Sequence, residues 1–164
     1  MKDQNSSYSL LAKILHWGFV IAFGYGIFKA VENIDQLENS SFLRFEVLFA
    51  SAFLFMLAAR YLYMKKTQKT SVPLKTGKLQ RLAAKTVHLG MYLTLATIAL
   101  TGLIIGFLFH MGLKDGVLIE GLIAIHEFGI PVMYWLIGIH VTAAIFHRLL
   151  RDGVWNSMVP FWKE

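Results

Sequence analysis

The chain has no cysteine. That excludes disulfides, thiolate metal sites, cysteine-ligated iron–sulfur clusters and haem attached covalently through C-x-x-C-H. Charge is scarce as well: 16% of residues are Asp, Glu, Lys or Arg, against about 25% in a soluble domain. The formal net charge is +6, but the basic residues are not gathered into a nucleic-acid patch, and no nucleic-acid partner is expected. The first apolar run is too long for the core of a signal peptide and no small-residue cleavage site follows it, so no cleavable leader is expected.

What is abundant is apolar sequence. Hydrophobic residues make up 56% of the 164 and the mean hydropathy is +0.55. The apolar residues fall into four long runs, at about residues 10–31, 42–63, 82–109 and 122–150. The first alone is about 33 Å long as a helix, enough to cross a bilayer core of roughly 30 Å. The chain therefore reads as a single all-α domain over residues 1–164, an integral membrane four-helix bundle. Gly129 and Pro131 predict a kink in the fourth helix. Trp17 reads as an interfacial ring, with Lys13 reaching towards headgroups. Of the 16 Lys and Arg residues, all but Lys29, Arg44 and Lys114 lie at the termini or around the connector between the second and third runs. The positive-inside rule then places both termini in the cytoplasm of a bacterial inner membrane.

The chemistry is concentrated in histidine. Residues 125–150, IHEFGIPVMYWLIGIHVTAAIFHRLL, are apolar enough to span, yet contain His126, His140 and His147. Their spacings bring all three to within about 40° of one helical stripe, with His126 and His140 about 21 Å apart along the axis. Imidazoles at membrane depth are costly without partners. His16 and His88 match His140 and His147 in depth, so four histidines on three helices meet in the cytoplasmic half. His126 and His110 lie towards the other face, where Glu46 sits at about the depth of His126. One explanation is a set of hydrogen-bonded histidines in an ordinary bundle.

The other is iron. Histidines at matched depth on facing helices suit axial ligation of a b-type haem, whose propionates call for cations such as Arg148, Arg60, Arg81 or Lys85. Gly18, Gly90 and Gly138 beside the histidines would clear room for a macrocycle or serve close helix packing, and Gly102 and Gly106 form a small-xxx-small pair that admits a helix or a flat ligand. Zinc is the competing metal, but it takes three or four close ligands, often with a carboxylate. Pairing across helices at separate depths suits six-coordinate iron better.

Three segments carry a family resemblance: LHWG at 15–18, VHLGMYLTLATIALTGL at 87–103, and IHEFGIPVMYWLIGIHVTAAIFHRLLRDG at 125–153. With the four-span plan they cover nearly the whole chain, which resembles the bacterial cytochrome b561 family and is similar to the cytochrome b subunits of membrane hydrogenases and formate dehydrogenases. The resemblance implies two stacked haems, each taking one ligand from the fourth helix. It implies that His16 and His140 are the axial ligands of the cytoplasmic-side haem. Depth alone would suit His147 as well as His140. His88 and His147 would bind propionates or line a quinone pocket.

The pattern breaks at the second haem. The family's ligand near the outer end of helix two, which would pair with His126, has no counterpart here, because Glu46 stands at that position. The outer haem is then absent, or five-coordinate on His126, or completed by His110. A pairing of Glu46 with His126 or Arg44 is expected. The resemblance implies electron transfer between the quinone pool, ubiquinone or menaquinone, and a periplasmic or membrane redox protein, as an electron carrier or a quinone-linked oxidoreductase. The rival functions are an anchor subunit of a larger redox complex with reduced haem content and a metal-ion transporter.

Overall fold

Helix α3, Lys78–His110, is the most enclosed element of the molecule, packed between α2, Ser40–Thr67, and α4, Val117–Leu150. Helix α1, Leu10–Lys29, packs on α2, and a 3-10 turn, Ile34–Glu38, joins them. A short helix α5, Val154–Met158, follows α4. This computed structural model describes residues 8–29, 33–67, 77–160 and 162. The expected end of the first helix at Val31, and Pro73 in the basic connector, lie outside them.

All four spanning helices are long and apolar enough to cross a membrane. They carry large apolar side chains outward, with Phe55 76% and Trp135 75% exposed. A water-soluble protein does not tolerate so extensive an apolar surface, whereas lipid solvates it. Only helices satisfy every backbone group within such a solvent. The chain is thus an all-α membrane four-helix bundle.

Hydropathy located the spans but not their ends. Helix α2 runs four residues beyond the expected 63, because Lys65 and Lys66 in its last turn complement the helix dipole. Its start is capped by Asn39, whose Oδ1 accepts from the Ser41 N–H at 2.9 Å. Helix α3 begins at Lys78, after Gly77, whose N–H donates to the Gln80 side chain at 3.2 Å. Helix α4 begins at Val117, where Gly116 takes a positive φ of 109° and Glu120 favours the first turn. It continues as helix through Pro131, and His110 is the last residue of α3 rather than a connector residue.

The middle of the bundle holds Phe19, Phe53, Leu57, Leu95, Ala99 and Met133, drawn from all four helices. At the end away from the termini, Leu37 of the 3-10 turn packs with Ile105, Leu108, Phe109 and Ile119. Close helix approach is made at glycines. A Cβ at Gly129 would lie 2.8 Å from Ile98, one at Gly106 2.7 Å from Val47, and one at Gly90 3.3 Å from Leu136. In lipid such close packing, rather than hydrophobic exclusion, holds helices together. Helix α1 makes far less contact with α4 than with α2, so the bundle is loosest along the α1–α4 seam.

The start of α1 and the segment around α5 meet at one end of that seam. The Tyr8 N–H donates to Ser157 O at 3.2 Å, Lys13 Nζ to Asn156 O at 3.4 Å, and Trp17 Nε1 to Met158 O at 3.3 Å. Lys13 and Trp17, expected at the headgroups, are therefore tied to the tail that crosses α1.

Candidate functional site

At the end of the bundle that holds the termini, each spanning helix contributes one polar group to a common level: His16 from α1, Arg60 from α2, His88 from α3 and His140 from α4. The His16 and His140 ring centroids are 6.4 Å apart, and those of His88 and His140 5.1 Å. His16 and His140 are half-buried and His88 is more exposed. Two imidazoles on opposite sides of one metal, each bonded at about 2 Å, bring their ring centres roughly 6 Å apart. The His16–His140 spacing matches that arrangement, and the His88–His140 spacing is too short for it.

Arg60 completes the cluster. Its Nη2 lies 2.8 Å from His16 Nδ1, and its guanidinium sits over the rings of Phe19 at 5.7 Å and Tyr92 at 5.5 Å. Cation–π contact of this kind supports a desolvated arginine. Its Nε is buried without a hydrogen-bond partner, and among the described residues no carboxylate forms an ion pair with it. A cation at membrane depth calls for an anion. A Cβ at Gly18 or at Gly138 would meet nothing within 4 Å, but each lies two residues, about 200° around its helix, from His16 or His140, so neither clears the space between those rings. Two facing imidazoles and an orphaned guanidinium nitrogen fit a haem with its propionates. Gly90 instead serves close packing of α3 on α4.

The other histidines are placed elsewhere. His147 Nδ1 is 2.5 Å from Asp152 Oδ2, while Asp152 Oδ1 accepts from the Val154 N–H at 3.1 Å. One carboxylate therefore both holds His147 and starts α5, a role signalled only by the Arg-Asp-Gly that follows the helix. Arg148 lies under the rings of Trp155 at 5.0 Å and Trp162 at 5.9 Å. His110 is exposed at the tip of α3. Among the described residues no three His, Asp or Glu side chains converge as a metal-ion site.

His126 lies at the opposite end, as its position on α4 required. Its Nδ1 is 3.1 Å from Thr101 Oγ1, a contact that nothing in the sequence singled out. The Thr101 hydroxyl also lies 2.7 Å from the Thr97 carbonyl and 3.1 Å from that of Ile98. The contact between that hydroxyl and His126 Nδ1 is a hydrogen bond whose direction follows the imidazole tautomer. His126 and Glu46 both line a cavity of about 340 Å³ between the four helices. No hydrogen bond joins the two among the described residues, and Arg44 is exposed. The expected pairing of Glu46 with His126 or Arg44 is thus not formed, because Thr101 takes His126. His110 does not line the cavity.

No curated protein and no solved structure matches the chain. A family model does, over residues 7–161, and its description is prokaryotic cytochrome b561. The match takes in all four spans and all six histidines, so the chain belongs to the prokaryotic cytochrome b561 family and is a bacterial multi-pass membrane protein of the b-type haem, electron-transfer kind.

Proposed function

We propose that this protein carries single electrons between the membrane quinone pool and a protein partner, using one haem b held by His16 and His140. The observation that supports this most is the 6.4 Å approach of those two rings beside Arg60. The haem supplies a one-electron couple between ferric and ferrous iron; the chain supplies ligation, charge and an apolar surround.

With His16 and His140 both holding the haem iron, no coordination position would be left open, which would suit electron transfer rather than ligand activation. In the present geometry Arg60 donates to the Nδ1 lone pair of His16. An imidazole that ligates through Nε2 carries its proton on Nδ1, so Arg60 then donates elsewhere, and a propionate is the natural acceptor. Its positive charge beside the macrocycle favours the reduced state. His88, 5.1 Å from His140, flanks the pair and holds the ring of that ligand in place. His147, tied to Asp152, lies about two helical turns beyond His140 and is not a ligand in this reading.

The distribution of lysine and arginine supports a cytoplasmic location for both termini. The His16–Arg60–His140 cluster then lies towards the cytoplasm of a bacterial inner membrane, and the cavity of Glu46 and His126 towards the periplasm. The purified protein is expected to show the sharp α-band of low-spin haem, with the haem extractable into acid–acetone. His16→Ala or His140→Ala removes that band, while His126→Ala leaves it. A low-spin spectrum that survives His140→Ala but not His147→Ala would transfer the axial role to His147.

A further inference from the structure

The two ends of the bundle differ in charge. From Val47 to Lys114 the chain has no Asp or Glu. Helices α2 and α3 therefore reach the end that holds the termini with cations alone: Lys65 and Lys66 on α2, and Lys78, Arg81 and Lys85 on α3. Lys65, Lys66, Lys78 and Lys85 are exposed. Among the described residues the one acid at this end is Asp152, which is engaged by His147 and the Val154 N–H. The remaining described acids, Asp35, Glu38 and Asp115 among them, belong to the other end.

Lysines at the cytoplasmic ends of spans orient a membrane protein and meet anionic headgroups. That accounts for cations at the bilayer surface but not for their reach. Lys78 stands about 15 Å of helix beyond His88, whereas headgroups occupy only about 5–8 Å on each side of the hydrocarbon. A run of contacts also leads inward from these lysines. Lys65 Nζ lies 5.9 Å from the centre of the exposed Tyr61 ring, and Tyr61 meets Tyr92 edge to face at 5.4 Å. Arg60 lies over Tyr92 at 5.5 Å and places Nη2 2.8 Å from His16 Nδ1. Packed side chains thus join the basic surface to the His16–His140 cluster. Electron tunnelling falls steeply with distance, so a carrier seated on these lysines gains a short, packed approach to that cluster.

We propose that the ends of α2 and α3 dock a small acidic one-electron carrier protein, whose carboxylates meet Lys65, Lys66, Lys78 and Lys85. One electron leaves the carrier, which is oxidised, and ferric haem iron becomes ferrous; no bond forms or breaks. This rests on the haem reading above and names its protein partner by charge. The resemblance implies a periplasmic or membrane partner, whereas the charge points to a soluble one at the end that holds the termini.

The test mixes full-length haem protein in detergent with a reduced plant-type [2Fe–2S] ferredoxin, an acidic carrier whose low potential drives its electron onto the haem. Growth of the α-band in a stopped-flow instrument should give a bimolecular rate that falls at least tenfold between about 0.01 M and about 1 M ionic strength, as steered encounters do. Joint replacement Lys65→Gln, Lys66→Gln, Lys78→Gln and Lys85→Gln should slow the low-salt rate at least tenfold, with the α-band and reduction by dithionite unchanged. Ferredoxin with its carboxylates amidated should slow equally on the native protein. A rate indifferent to the four substitutions or to amidation would overturn the proposal and leave these lysines to lipid headgroups. So would a haem that dithionite reduces and ferredoxin does not. Where the variant fails to fold, the amidated carrier on the native protein decides. Absence of any α-band in dithionite would instead defeat the haem reading, so the two failures are distinguishable.

Discussion

Arg60 on α2 reaches across to α1 and places Nη2 2.8 Å from His16 Nδ1, at the level where α4 presents His140. A guanidinium has donors only, so in this geometry His16 Nδ1 accepts, and Arg60 turns to another acceptor when His16 ligates through Nε2. It also holds a positive charge beside the proposed haem. Arg60→Gln should therefore retain haem and lower its midpoint potential, by on the order of 60 mV for a tenfold change in a one-electron equilibrium. Potentiometric titration reads this directly. An unchanged potential would place Arg60 away from the macrocycle.

The close seam between α3 and α4 depends on Gly129, where an added Cβ would come within 2.8 Å of Ile98. Gly129→Val should cost about 1–3 kcal/mol of stability, the usual range for overpacking, seen as a lower midpoint for thermal loss of the Soret band. Gly121→Ala is the control, since its Cβ would meet nothing within 4 Å. Equal midpoints for the two variants would mean that Ile98 yields at no cost.

These relationships were unevenly legible. The four spans and the level of each histidine follow from hydropathy and helical rise, and the structure has them. The extended ends of α2, α3 and α4 were hidden because polar, capped turns continue a helix beyond its membrane run. The α5 docking of the tail onto α1 was hidden too, because it depends on backbone carbonyls of residues 156–158 that no side-chain pattern announces. At the sites, depth brought His16, His88 and His140 to one level but could not separate His140 from His147. The separation comes from Asp152, which lies past the helix end and engages His147. Thr101 was invisible for a similar reason: a mid-helix threonine bonded to its own preceding turn looks structural until His126 is seen against it.

At the end away from the termini, Lys114 Nζ lies 2.8 Å from Glu38 Oε1 and ties the two connectors together. The hydrogen bond from Lys114, and then its charge, hold the Glu38 carboxyl below its ordinary value of 4.5. A carboxyl with a folded-state value below its unfolded one stabilises fully above 4.5 and loses that contribution as pH falls through the lowered value. Lys114→Ala should lower the thermal midpoint slightly at neutral pH and low ionic strength, and leave it unchanged once the pH has fallen below the lowered Glu38 value. A difference that persists in acid would contradict the ion-pair account.

Topology can be read without background labelling, because the native chain has no cysteine. In Lys78→Cys and Asp115→Cys variants on intact spheroplasts, an impermeant thiol reagent should label position 115 and spare position 78. The reverse would put the termini, and the His16 cluster with them, on the outer side.

The central claim is a single haem on His16 and His140, and haem content per chain tests it most directly. A pyridine haemochrome assay on purified protein, with electron paramagnetic resonance on the same sample, should give one haem b per chain and one low-spin bis-histidine signal, both lost in His16→Ala. Two haems per chain, each bis-histidine, would contradict the account.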